Sequence, residues 1–371
     1  MPTKNILLLY ITEVSGHHSA SLAIEKSLKL LNPGINVRNI NAFRFTNPIS
    51  EKIVNRIYTT IIKHTPKVWD YVYDNPSVKK NLERMKKVIH TWNSPKLKKL
   101  FDEFKPDVVV CTQAYPCGMV ADFKKTHGSK VPLVGVLTDY VPHSYWLYDT
   151  VDYYITPSEE VSQRLAKKGV PAQKIKPLGI PFNPHFNDPV DPAEVRRKLG
   201  FTPGMRTILI MGGGQGLGPV KTIVQSLEKV PYELQEIIVT GTNKKLFRSL
   251  KRKIKHAKKK IVLLGYAHNV NELMSVSDLI ITKPGGITTS EALSKKLPML
   301  IIKPIPGQEE NNTVFLTQQR AALKVDRPAQ IDSAVKDLFA HPEKLKELAN
   351  SCARIAKSAS GMDIARFITE I

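Results

Sequence analysis

Residues 278–293, DLIITKPGGITTSEAL, decide what kind of fold this chain has. Leu279-Ile280-Ile281 is an apolar run of strand length and β-branched character. The run breaks at Lys283-Pro284-Gly285-Gly286 and resumes as a helix-like segment from Thr288 to Lys296. A strand, a glycine turn and a helix start in that order form one βα unit. They also form an anion site, because the unpaired N–H groups of the first turn and the positive end of the helix dipole face the turn. Glu291 lies one turn inside the helix, too far in to cap it. An acid beside a phosphate site often holds a sugar hydroxyl. The same residues also describe a plain βα turn carrying a solvated Glu, and the rest of the chain has to choose.

Outward from this stretch the pattern repeats. Strand-like runs occur at 4–10, Asp107–Cys111, Leu133–Leu137 and Asp152–Ile155, with helical segments at 17–31, after Pro116, and from Ser158 to Lys168. Ser158 is a good N-cap, with Glu159 and Glu160 in the first turn. Pro177–Pro192 then holds five prolines and no periodicity, and reads as a linker. The alternation restarts with strands at 207–211, 236–240, 261–264, 279–281 and 298–302, and helices at 220–229, 243–258, 270–276 and 329–357. Strands alternating with helices predict an α/β chain with parallel sheets covered on both faces. Two consecutive domains follow, 1–182 and 183–357, with a last helix at 362–371 folding back on the first. At 371 residues two domains are expected on length alone.

The charge is +22, with a sequence pI near 9.7. Part of it lies in NKKLFRSLKRKIKHAKKK, residues 243–260, which contains no acid, and part between Lys79 and Lys105. Either run also fits a solvated helix face. The total points to a polyanionic partner, nucleic acid or an anionic membrane surface. Residues 50–75 carry Ile53, Ile57, Ile61 and Ile62 at helical spacing, then Trp69, Tyr71 and Tyr73. They fit a core helix and loop, or a segment that dips into a membrane interface. No apolar run approaches the roughly 18 residues of a membrane span. The start MPTKNILLLYITEV shows no cleavable-signal pattern. Cys111, Cys117 and Cys352 lack metal-ligand or disulfide spacing, as expected of a reducing, cytoplasmic setting.

Several chemistries are disfavoured by motif. The loop Met211–Gly218, MGGGQGLG, follows a strand and precedes a helix, a second candidate phosphate cradle. It misses the dinucleotide spacing, since position 217 is Leu, and misses the P-loop, since Pro219 follows Gly218. Zinc-protease, serine-hydrolase and D-x-D motifs are absent from the sequence. Ser15-Gly16-His17-His18 follows the first strand, where open α/β sheets bind ligands. A histidine at a helix start is held neutral by the dipole, which suits a general base. His17 equally fits a polar turn residue. Thr138-Asp139-Tyr140-Val-Pro-His143-Ser-Tyr-Trp146 brings an acid, a histidine and an indole to another strand end. Pro306-Gly307-Gln308-Glu309-Glu310-Asn311-Asn312 follows the 299–302 strand and is too polar for a core turn.

Taken in order, SGHHSAS, TDYVPHSYW, LGIPF, GGGQG, TKPGGITTSEAL and IPGQEENN resemble the diacylglycerol glycosyltransferases. These are the plant monogalactosyldiacylglycerol synthases and bacterial processive glucosyltransferases, relatives of the lipid II-forming N-acetylglucosaminyltransferase. The resemblance implies a GT-B fold, two Rossmann-like domains facing each other across a cleft, with acceptor on the first and UDP-sugar on the second. It implies inverting, metal-independent transfer of a hexose from UDP-hexose to the 3-hydroxyl of 1,2-diacylglycerol. His17 matches the general base. The donor set becomes Gly213, Gly214, Gln215, Tyr266, Gly285, Gly286, Ile287, Thr288, Glu291 (ribose), and Gln308 with Glu309 (sugar). The acceptor set becomes Gly16, Asp139, His143 and Trp146. No cofactor and no metal are expected. Relatives often carry an Arg after Gly179-Ile180-Pro181, where this chain has Phe182 or Asn183. Phosphate charge is then met elsewhere, by His185 or Lys303, or the donor binds more weakly.

Diacylglycerol lives in a bilayer, so the expected partners include anionic lipids, which gives the positive charge a use. The expected location is peripheral, on the cytoplasmic side of the cell membrane. A UDP-sugar 2-epimerase, a UDP-N-acetylglucosamine-using lipid-linked transferase and a basic nucleic-acid binder remain as rivals. The last leaves GGGQG, KPGGIT and PGQEE without a purpose, and no recognised nucleic-acid motif supports it; no nucleic acid is expected.

Overall fold

The computed structural model describes residues 4–46, 95–142, 144–304 and 307–371. The aromatic stretch 50–75, the basic region up to residue 94, His143 and Pro306 lie outside the described residues. Twelve described strands form two six-stranded sheets. The first contains β1 (Asn5–Tyr10), β2 (Asn36–Asn41), β3 (Val108–Cys111), β4 (Leu133–Val136), β5 (Tyr153–Ile155) and β6 (Ile175–Lys176), in the order β2-β1-β3-β4-β5-β6. The second contains β7 (Arg206–Met211), β8 (Leu234–Val239), β9 (Lys260–Leu264), β10 (Leu279–Thr282), β11 (Met299–Ile302) and β12 (Ala322–Val325), ordered β12-β11-β10-β7-β8-β9. Every pairing is parallel, as in Ile6↔Val108 and Leu279↔Ile208.

The central strands are continuous apolar runs because both their faces are covered. Leu7, Leu8, Val109, Val110, Ile208, Leu209, Ile280 and Leu300 are completely buried. Strand order reverses between β1 and β3 in one sheet and between β7 and β10 in the other. In open α/β sheets such a reversal leaves a crevice beyond the carboxyl ends of the strands, where ligands bind.

The described residues divide into two compact units. One takes those of Met1–Pro184, Ile305–Gln308 and Ala359–Ile371; the other takes His185–Pro304 and Glu309–Ser358. In the first, Ile364, Ala365 and Ile368 of helix Ser360–Glu370 join Ile24 and Leu28 of helix Gly16–Leu31 in one core with Ile6 and Val110. Fully burying a large aliphatic side chain contributes about 1.5–3 kcal/mol. Lys4 Nζ donates to the carbonyls of Thr369 (2.8 Å) and Ile371 (2.6 Å), pinning that helix end. In the second unit Ile208, Ile281 and Leu300 pack with Val224, Leu250 and Leu338.

Strands β2, β6 and β12, and the helix Gln308–Gln318, were not expected from the sequence pattern. The polar PGQEENN segment turns helical after Gly307, with Glu309 and Glu310 in the first turn complementing the dipole. Among the described residues no helix is long and apolar enough to cross a membrane. The three cysteines are free and buried.

Candidate donor and acceptor sites

In the first unit, the turn after β1 feeds helix Gly16–Leu31. Ser15 caps it, its hydroxyl accepting from the His18 amide at 3.2 Å and donating to the Thr12 carbonyl at 2.8 Å. This places His17 in the first turn, over the reversal between β1 and β3. Thr112, the residue after β3, clasps it twice. The Thr112 hydroxyl donates to the His17 carbonyl (2.8 Å), and the Thr112 carbonyl lies 2.9 Å from His17 Nδ1. Thr138 Oγ1, past the end of β4, is 3.0 Å from the same nitrogen.

A carbonyl only accepts, so Nδ1 must carry the ring proton, and the lone pair of the neutral ring sits on Nε2. Burial lowers the His17 pKa below its usual 6.5, against the opposing pull of Asp139 and of the Thr112 bond. The imidazole is therefore an unprotonated base at neutral pH. His18 is otherwise engaged: it stacks on Tyr10, with ring centroids 4.1 Å apart, and its Nδ1 lies 2.6 Å from the Glu13 carbonyl.

Gly16 opens the helix and Asp139 lies close enough to act on His17 electrostatically. Trp146 is placed differently from an open recognition face. It is only 4% exposed, and a Cβ at Gly135 would sit 3.3 Å from its ring. Its indole belongs to the wall behind β4.

In the second unit, the loops after β7, β8, β9, β10 and β11 all emerge at the carboxyl edge of the sheet. The Gly212–Gly218 loop is tightly closed, with Leu217 N donating to Gly212 O (3.0 Å) and Gly216 N to Gly213 O (2.9 Å). Gly216 adopts φ +57°, and a Cβ there would lie 1.9 Å from the Thr240 carbonyl. Only glycine fits such a position. Gly214 and Gln215 are the exposed tip.

Across the reversal, Thr282 ties β10 to β7 through a 2.7 Å bond to the Met211 carbonyl. Helix Gly286–Ser294 then starts at Gly285 with no side-chain cap. Its first i→i−4 bond is Thr289 N to Gly285 O at 3.0 Å. The N–H groups of Gly286, Ile287 and Thr288 therefore donate to no acceptor among the described residues. Three donors at a dipole's positive end suit an anion. Burial pushes Glu291, in the next turn, up to about 8. No described group hydrogen-bonds its carboxyl. Tyr266, just past β9, is 56% exposed and in edge contact with His268.

Lys283 was not expected to carry a role. Its ammonium donates to Glu309 Oε1 at 2.5 Å, both side chains being largely buried, and its Cε lies 3.5 Å from where a Gly213 Cβ would stand. It therefore bridges the glycine loop and the helix carrying Gln308 and Glu309. Asn312 of that helix braces the turn through a 3.0 Å bond to the Pro284 carbonyl. His185 instead pairs with Asp188 at 3.0 Å, and Lys303 is exposed. Phe182, one of the two positions where the resemblance led to an expected Arg, is 3% exposed. Of the cations considered, Lys283 is the one built into the glycine turns. Among the described residues no three His, Cys, Asp or Glu side chains gather as a metal site. A wider cleft of about 670 Å³ opens at the opposite edge of this sheet, around Arg206, Asp278 and Lys295, and the glycine turns do not reach it.

Known proteins give the arrangement its context. Residues 17–182 match the family described as monogalactosyldiacylglycerol (MGDG) synthase, and residues 207–363 the glycosyltransferase family 28 C-terminal domain. The chain is 29% identical over 371 residues to a processive diacylglycerol beta-glucosyltransferase of Bacillus licheniformis, covering 99% of this chain and 95% of that protein. It is 33% identical over 276 residues to one of Bacillus cytotoxicus, covering 74% and 70%. In fold it is similar to MurG of Acinetobacter baumannii (TM-score 0.63, 14% identity, 99% and 100% covered). It is also similar to MnaA of S. aureus, solved with UDP (TM-score 0.64, 15% identity, 99% and 96% covered). With a synthase-type first domain, a family 28 second domain and the GT-B fold, the chain belongs to the diacylglycerol glycosyltransferase family.

Proposed function

We propose that the protein moves a hexose, glucose or galactose, from UDP-hexose to the 3-hydroxyl of 1,2-diacylglycerol, with inversion and without a metal. It would act as a peripheral protein on the cytoplasmic face of the cell membrane. The observation that carries this reading is the state of His17. With Nδ1 committed to Thr112 and the pKa lowered, Nε2 is free to take the acceptor proton. General-base help of this kind is worth about 10² to 10⁴-fold.

On the donor side, the N–H groups of Gly286, Ile287 and Thr288 suit the diphosphate, and the Lys283 ammonium suits the charge that builds on departing UDP. Gly213, Gly214 and Gln215 form the opposite lip. Glu291 offers its carboxyl to the ribose hydroxyls and Tyr266 a flat ring to the base. Gln308 and Glu309 read the hexose, Glu309 already oriented by Lys283. Gly16, Asp139 and His143 serve the lipid alcohol, and the buried Trp146 keeps a supporting part.

The test is incubation of the pure protein with diacylglycerol and UDP-glucose, UDP-galactose or UDP-N-acetylglucosamine, with chelator present, followed by analysis of the lipids. A β-hexosyl diacylglycerol is expected. An α-linked product contradicts inversion, and inhibition by chelator contradicts metal independence. Donor turnover without a lipid product indicates 2-epimerase chemistry. Use of the acetamido donor alone indicates the lipid-linked transferase.

A further inference from the structure

We propose that the outer face of helix Lys244–Lys253 is a docking surface for the phosphate headgroups of an anionic membrane. The proposal rests on the reading of diacylglycerol as acceptor. At about 100° per residue, Lys244, Lys245, Arg248, Lys251 and Arg252 fall within a stripe about 120° wide. Leu246 and Leu250 lie opposite and are buried against the sheet. All five cations are exposed, and none pairs with an acid among the described residues. Lys253, Lys255, Lys258 and Lys260 continue the exposed charge beyond it, whereas Lys259 turns inward and donates to the carbonyls of Leu227 and Val230.

This charge works against the helix that carries it. Lys244 and Lys245 occupy the first turn, where the dipole disfavours cations and no acid offsets them. Lys244 with Arg248 and Arg248 with Arg252 are like-charge i,i+4 pairs, each destabilising. A local conflict of this kind without a compensating internal partner marks a functional surface. A dense anionic layer supplies the missing charge. The apolar side is fully used in packing, so the face docks on headgroups without inserting, and its attraction is screened by salt. Nucleic acid is disfavoured by the lack of a stacking platform, since the helix's one aromatic, Phe247, is half-buried at its flank.

The experiment compares the full chain with a variant in which Lys244, Lys245, Arg248, Lys251 and Arg252 are all changed to Gln. A charge-matched control changes Lys26, Lys125, Lys130, Lys167 and Lys357 to Gln, all exposed and dispersed. Glutamine keeps helix propensity, so folding is retained. Binding is measured by co-sedimentation with phosphatidylcholine vesicles, with and without phosphatidylglycerol, at low and high salt. The stripe variant should lose more than about tenfold in affinity for the anionic vesicles, while the control keeps most of it. Equal loss in both variants reduces the effect to net charge and overturns the proposal, as does undiminished binding by the stripe variant. Loss of RNA binding in a gel shift with vesicle binding intact overturns it in favour of nucleic acid. Turnover on detergent-dispersed diacylglycerol should be unchanged in the stripe variant. Inactivity of the unaltered protein there sinks the acceptor assignment alone.

Discussion

The two strand-order reversals solve opposite problems with the same topology. Between β1 and β3 the chain presents a side chain, and one backbone carbonyl, that of Thr112, serves to hold that side chain in one tautomer. Between β7 and β10 it presents the backbone itself, three N–H groups and a glycine loop, and its side chains serve to brace the turns. One end is equipped to accept a proton; the other is equipped to meet negative charge. A parallel sheet reversal is thus neutral as to chemistry, and the residues just past the strands decide its polarity.

His17→Ala breaks the first half of this contrast and has the largest expected effect. Turnover should fall by about 10² to 10⁴-fold while UDP affinity, measured by calorimetry, stays put. Parallel loss of UDP binding would show that His17 serves folding or the donor instead. The acid limb of the kcat profile should lie below the ordinary imidazole value of 6.5, because burial favours the neutral ring.

Lys283→Gln attacks the second half. Charge-assisted bonds are worth about 1.5–3 kcal/mol, so UDP-hexose affinity should weaken by about tenfold or more, with His17-dependent chemistry on bound donor less affected. Glu291→Ala should cost about tenfold in UDP affinity, two ordinary hydrogen bonds' worth. Unaltered nucleotide affinity in both would leave the second reversal as scaffold. Thr112→Val, which removes only the hydroxyl, should lower kcat a few-fold without moving UDP affinity, and Thr112→Ser should restore it.

The smallest effect concerns stability. Glu291 holds its proton up to about 8 in the native state, against 4.5 ordinarily, so the folded protein binds more protons than the unfolded one in between. Stability must then fall as pH rises through that window. Glu291→Gln should melt a few degrees higher than the unaltered protein near pH 8, and at the same temperature below pH 4.5. A gap that does not depend on pH would refute the burial assignment.

The sequence disclosed the strands that are buried on both faces, since Ile6–Leu9, Val108–Val110 and Ile208–Ile210 are unbroken apolar runs. It did not disclose β2, β6 or β12, all at sheet edges, where NVRNIN and ALKV mix polar with apolar residues. A two-residue β6 leaves no periodicity to read. The glycine turns and His17 stood out because unusual backbone and a histidine at a strand end leave local marks. Thr112 did not, because its tie to His17 spans 95 residues. Lys283 was quoted as part of a turn, and only folding brings Glu309 to it. Trp146 looked like a recognition surface in its motif, and Gly135 turns it into wall.

The helix Ser360–Glu370 has a consequence for how the protein is made. Its Ile364 and Ile368 complete a core whose other members, Ile6, Ile24 and Leu28, leave the ribosome long before them. The unit that begins first is therefore the last to be finished, and the donor-side unit can consolidate while its predecessor still waits for its closing helix. A shortened chain lacking residues 360–370 should lose the earlier-made unit to proteolysis and keep the later one.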